Sequence, residues 1–136
     1  MQLDPYLFFD GNCEEALKFY EECFRGKIEA MFPYAGSPAA QGMPAEWDKK
    51  IMHSRLVFGD NVILASDAAP GRSERPQGFS MCIGLKDVSE GERVFKALAE
   101  GGRVEMPFEK TFWSERFGML VDRFGIPWMV NCEPGS

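Results

Sequence analysis

His53 is the single histidine of this chain and so its one candidate for imidazole acid–base chemistry. It lies in the run 50–58 (KIMHSRLVF), where a strand's period of two groups Ile51, His53, Arg55 and Val57 on one face. Met52, Ser54, Leu56 and Phe58 fall on the other. If the first face lines a cleft, His53 is an acid/base and Arg55 an anion clamp. On a solvated or subunit-facing strand both are ordinary surface residues. Trp113, Arg116 and Phe117 stand where a loop meets a strand, an aromatic-plus-guanidinium pairing suited to a flat or anionic ligand, or equally to a structural plug. Met129 shares a face with Asn131 and opposes Trp128, and Asn131 there either orients a substrate carbonyl or satisfies backbone at the sheet's end. Ser66 is a further candidate ligand contact, whereas Asp67 reads as a turn cap rather than a base. Cys82 alternates toward the same candidate face, but a reactive thiol needs an electropositive neighbour that the sequence does not supply. No G-x-S-x-G elbow is present, so a serine nucleophile is not expected.

These residues must be positioned by short elements. Residues 3–9 (LDPYLFF) read as a strand, and Asn12, three before Glu15, reads as a capping box opening a helix that Gly26 stops. Residues 27–33 form a strand. Residues 34–48 are Gly-, Pro- and Ala-rich without a period, a long loop in which Trp47 is either a lid or an anchor. Then come 50–58 and 61–66, a hairpin across Gly59. After a polar linker at 68–77 the order repeats. A strand spans 79–86, and a helix capped by Asp87 or Ser89 ends at Gly101-Gly102. A strand follows at 103–107, a loop at 108–114, and strands at 116–122 and 126–132.

The two halves echo one another in their residues as well. FYEECFRGKIEAMF at 19–32 returns as FKALAEGGRVEMPF at 95–108, so that Phe19, Gly26, Glu29 and Phe32 answer Phe95, Gly102, Glu105 and Phe108. A later Phe-Gly pair (58–59 and 124–125) recurs at a shorter offset, which places the extra length of the first half in the 34–49 loop. The expected fold is α+β: two tandem βαβββ modules, 1–67 and 78–134, forming a pseudo-symmetric curved mixed sheet around a shared cleft.

Net charge is −6, which opposes binding to nucleic acid or to an anionic membrane surface. The N-terminal MQLDPYLFF has neither a basic leader nor a small-residue cleavage site, and the four cysteines form no C-x-x-C, so a cytoplasmic address with reduced thiols is expected.

The opening YLFFDGNCEEALKFY and the later FWSERFG and DRFGIPW resemble the PhnB-like branch of the vicinal oxygen chelate superfamily, home of glyoxalase I and bleomycin-resistance proteins. The resemblance covers nearly the whole chain. It implies the paired βαβββ fold and, for many members, a divalent metal held by His or Glu on the first and last strands of each half. Aligned on Phe19-Tyr20, those positions fall near Leu3 or Pro5, near Phe79 or Ser80, at Met129, and near Ala65 or Ser66. None is His or Glu, so no metal centre and no other cofactor is expected, and His53 donated by each of two subunits is the remaining route to one. The resemblance also carries a demethylubiquinone methyltransferase name. No Gly-rich loop follows a strand in a β-α-β unit here to support it.

The reading is a homodimeric, metal-independent binder of a small organic molecule, with Arg55, Ser66, Trp113, Arg116, Met129 and Asn131 as ligand contacts. A lyase, isomerase or dioxygenase using an atypical metal site or His53 is the enzymatic alternative. A protein-interaction role with a vestigial cleft is the third.

Overall fold

The structure is a computed structural model and describes residues 1–133. The chain divides between Glu74 and Arg75, inside the 68–77 segment, into two compact units. The first carries β1 (Tyr6–Phe9), α1 (Cys13–Phe24), β2 (Lys27–Pro33), β3 (Ile51–Phe58) and β4 (Asn61–Asp67). The second carries β5 (Met81–Leu85), α2 (Val88–Ala99), β6 (Arg103–Glu109), β7 (Arg116–Val121) and β8 (Pro127–Cys132). Each is a βαβββ module with its own four-stranded mixed sheet, ordered β1-β4-β3-β2 and β5-β8-β7-β6. In each sheet the first strand pairs parallel to the last and the remaining pairs are antiparallel. Among the described residues no helix is long and apolar enough to cross a membrane.

In the first unit alternation along the strands drives the packing. Leu7 and Phe9 on β1, Leu56 on β3, and Ile63 and Ala65 on β4 are buried, as are Cys13, Ala16, Leu17, Tyr20 and Cys23 at helical spacing on α1. The capping box does not form: Asn12 makes no side-chain cap bond. Asp67, at the end of β4, instead accepts the Cys13 amide at 2.9 Å and the Ile51 amide at 2.8 Å. Nor does Gly26 supply the left-handed residue that ends α1; Arg25 does, at φ 51°. Gly26 is required for contact: a Cβ there would lie 2.6 Å from the Val57 carbonyl oxygen. The long segment between β2 and β3 contains two single 3₁₀ turns, Pro38–Ala40 and Ala45–Trp47. It is closed at its base by Tyr34 N–H to Lys50 O (2.9 Å) and Ala35 N–H to Asp48 O (3.0 Å).

The second unit repeats the scheme. Asp87 caps α2 by accepting the Ser89 amide at 2.9 Å. Gly102 sits so close to the Val121 carbonyl that no side chain fits, as Gly26 does against Val57. The repeated glutamates have a common structural role, since Glu29 and Glu105 each occupy a register shift between strands, β2/β3 and β6/β7 respectively. The helix packs closely: a Cβ on Gly118 would reach the Phe95 ring at 2.6 Å, and one on Gly91 would meet Cys132 Sγ at 2.5 Å. Asp122 organises the final turn. Its Oδ1 accepts the amides of Phe124 (2.8 Å) and Ile126 (3.0 Å), and its Oδ2 accepts the Trp128 indole N–H at 2.8 Å.

Candidate functional site

In the first unit the sheet face opposite α1 gathers the candidate residues. Tyr6 and Phe8, the outward half of the β1 alternation, are 37% and 59% exposed. Tyr6 pairs with Leu64 and Phe8 with Ser66, while Arg55 pairs with both Leu64 and Ala30, and Phe32 with His53. The rows across this face therefore read Tyr6, Leu64, Arg55, Ala30 and Phe8, Ser66, His53, Phe32. The face is largely aromatic, with Phe32 also 53% exposed. The Tyr6 hydroxyl and His53 Nδ1 are 3.0 Å apart and their rings stack with centroids at 5.7 Å. That hydrogen bond fixes the imidazole plane and leaves Nε2 free of it. Arg55 pairs with Glu29 through Nε at 2.9 Å, and the two border an open groove of about 610 Å³ with Leu3, Val57 and Val62. Ser66 is buried at 5% beneath this layer.

The expected grouping of Ile51 with His53 and Arg55 is incorrect. Pairing skips Met52 between Phe32↔His53 and Pro33↔Ile51, so the irregularity turns Ile51 into the helix-side core. The helix side holds a second open groove, about 440 Å³, at the start of α1. Two of its cations are engaged: Lys50 Nζ donates to the Gly11 carbonyl at 2.8 Å and Lys18 pairs with Glu14 at 2.7 Å. Trp47 is half-buried with its indole Nε1 enclosed.

In the second unit, burial alternates along β8 so that Trp128, Val130 and Cys132 face α2 while Met129 and Asn131 face away. Phe117 pairs with Asn131, and Trp113, 49% exposed, meets the Phe117 ring edge-on at 5.5 Å. Arg116 does not join them: it pairs with Cys132, on the opposite parity, and its Nη1 donates to the Glu115 carbonyl at 2.8 Å. Ser114, which sequence reasoning missed, is buried at 3% and holds Asn131 in place. Its Oγ lies 2.6 Å from Asn131 Oδ1, 2.7 Å from Arg116 O and 2.7 Å from Cys132 O. One hydroxyl proton cannot serve three acceptors. The cluster balances when Asn131 turns its amide Nδ2–H toward Ser114, whose own proton goes to a carbonyl. A serine two before an arginine carries no signal for such a role.

Neither Cys13 nor Cys132 is set up as a nucleophile. Burial pushes Cys13 up to about 12, a bond with Ser54 opposing and Asp67 adding to the effect, and burial also raises Cys132.

The strand register also tests the metal centre that the superfamily resemblance implies. Leu3 and Pro5 precede β1, Phe79 and Ser80 precede β5, and Ala65 lies fully buried on the helix side. The outward positions of the first and last strands are Tyr6, Phe8, Leu64 and Ser66 in one unit, and Cys82, Gly84, Met129 and Asn131 in the other. One thiol and one thioether among phenyl, alkyl, hydroxyl and amide groups do not assemble a Zn, Mn, Ni or Fe(II) site, which calls for several imidazole, carboxylate or thiolate donors. Among the described residues, no three His, Cys, Asp or Glu side chains gather to hold an ion. The residues do not fit the group.

Residues 1–131 match the family described as 3-demethylubiquinone-9 3-methyltransferase. Protein PA1353 from Pseudomonas aeruginosa is 48% identical, with 98% of each chain covered and a TM-score of 0.88. A PhnB protein from Bacillus cereus is 22% identical over 97% of this chain and 99% of that one, with a TM-score of 0.81. A glyoxylase/bleomycin resistance protein/dioxygenase domain from Frankia sp. EAN1pec, 11% identical over 98% of both chains, superposes with a TM-score of 0.70. The last two likenesses are of fold. With nearly the whole length matched, the chain belongs to the family described as 3-demethylubiquinone-9 3-methyltransferase, and it shares its fold with the PhnB and glyoxylase/bleomycin resistance proteins.

Proposed function

We propose that the chain is a metal-independent binder of a small organic molecule, a role comparable to the antibiotic-sequestering members of its superfamily. The observation that carries the reading is the aromatic sheet face of the first unit, where Tyr6, Phe8 and Phe32 stay exposed around a hydrogen-bonded His53. Such a face suits a flat, largely apolar ligand, with the Tyr6–His53 pair as its polar anchor. Arg55 is committed to Glu29, so an anionic group on the ligand would have to displace that carboxylate. Ser66 contributes small polar contact beside Phe8. On the second sheet the same role falls to Trp113, Met129 and Asn131. Methyl transfer is not part of this reading, since no Gly-rich cofactor loop follows a strand in a β-α-β unit.

The test is a thermal-shift screen of small aromatic compounds, with hits measured by calorimetry before and after chelator treatment. Binding should survive chelation and weaken at least tenfold in Phe8→Ser. Binding that requires an added divalent metal, or that ignores Phe8→Ser, overturns the proposal.

A second reading, general acid–base catalysis at His53, draws on the 3.0 Å Tyr6–His53 contact, which orients the ring. It requires a pH-dependent turnover that His53→Ala abolishes and Tyr6→Phe reduces. Unchanged turnover in His53→Ala removes it.

A further inference from the structure

The second sheet carries a row of sulfur. Cys82 on β5 pairs with Met129 on β8, Met129 with Met119 on β7, and Met119 with Met106 on β6. Parity puts Met119 and Met129 on the side away from α2, because Gly118, the neighbour of Met119, lies directly under the Phe95 ring. Partners across adjacent strands share a face, so the four side chains project in one direction as a line across the sheet. Strands lie about 4.8 Å apart, so Cys82, Met129 and Met119 span roughly 10 Å at the backbone. The three rotatable bonds of each methionine can bring its thioether toward the middle of that span.

Methionine on a sheet face is ordinarily adaptable packing material. The row differs from packing at its end, where Cys82 is exposed while Cys13, Cys23 and Cys132 are all buried. A thiol beside consecutive thioethers is a soft donor set. Thiolate also takes Zn, but thioethers are soft donors that favour Cu(I)-like ions, and they make up the rest of the set.

We propose that Cys82, Met129 and Met119 form a binding site for one soft monovalent cation, Cu(I) or its redox-inert counterpart Ag(I), with Met106 closing the row. On binding, the Cys82 thiol gives its proton to solvent and the thiolate takes the metal; no electron is transferred. The site lies within the second unit; it shares Met129 with the ligand contacts proposed on that sheet and leaves the aromatic face of the first unit untouched.

The test uses the reduced, folded protein without oxygen. Ag(I), and Cu(I) buffered by a competing chelator, are titrated while iodoacetamide labelling of Cys82 is followed. One equivalent of either ion should protect Cys82, and Zn(II) should not. The Met119→Leu/Met129→Leu double variant nearly conserves volume, and its melting temperature verifies the fold. It should label at the parental rate without metal and bind the ion at least tenfold more weakly, whereas Met31→Leu in the first unit should change nothing. Cys82→Ser should lose one-equivalent binding. Parental affinity in the double variant would place the ion on a single thiol and overturn the proposal, as would the lack of one-equivalent binding by the parent.

Discussion

Asp67 is a carboxylate only 1% exposed, and its two oxygens are divided between the amide that begins α1 and the amide that begins β3. Charge-assisted bonds and the positive end of the helix offset its burial. Asp67→Asn keeps one acceptor but turns an NH₂ toward an amide N–H. It should lower unfolding stability by about 1–3 kcal/mol in urea titration. Reading Asp67 as a cap rather than a base came from residue type alone. The helix it serves is not legible in the sequence, because Cys13 is 54 positions away and Asn12 stands as the local candidate. Cys13, beside it, yields a pH prediction. Its thiol is held up to about 12 from an ordinary 9.0, chiefly by burial. The folded state therefore keeps a proton that the unfolded chain releases above pH 9, and stability falls as pH rises from there toward 12. The urea midpoint should drop between about pH 8 and about pH 10.5, and Cys13→Ala should make that drop smaller. Tyr34, raised in the same direction by burial and Asp67, leaves part of it in place.

Element boundaries were largely legible because alternation and helical spacing are strong in both halves: 27–33 and 116–122 were read nearly to the residue. Faces were less so. A strand period assumes an unbroken ladder, and the skip at Met52 moves Ile51 to the other side of β3, with the one cue, Pro33, lying on the partner strand. The two glycines after the helices read as stops in the sequence, and the structure gives them a steric reason. Gly26 and Gly102 are where the chain leaving each helix crosses the carbonyl of a neighbouring strand. Gly102→Ala should destabilise by about 1–3 kcal/mol in chemical unfolding, because the obstacle is backbone that cannot rotate away. Gly101→Ala would instead meet the strain of its φ of +75°.

The family signature proved to be written mostly in residues that shape the molecule. Asp122, Gly118 and Trp128 of the C-terminal motif make a turn, a helix contact and a buried indole bond. That is why recognising the family says little about a ligand. Outward sheet positions such as Cys82 and Met129 stand outside those constraints and carry no pattern of their own. At the same scale, the net charge of −6 predicts no retardation of duplex DNA in a gel at low salt.

The segment between β2 and β3 leaves and re-enters the sheet through neighbouring backbone bonds at Tyr34–Lys50 and Ala35–Asp48, and the Tyr34 hydroxyl donates to the Asp67 carbonyl. Its mouth is sealed independently of its length. An excursion built this way tolerates duplication drift: residues can be gained or lost at its tip while β2 and β3 stay in register, which accounts for one half of the repeat outgrowing the other. The tip is accordingly the place to insert a reporter peptide or open new termini without unpicking either sheet.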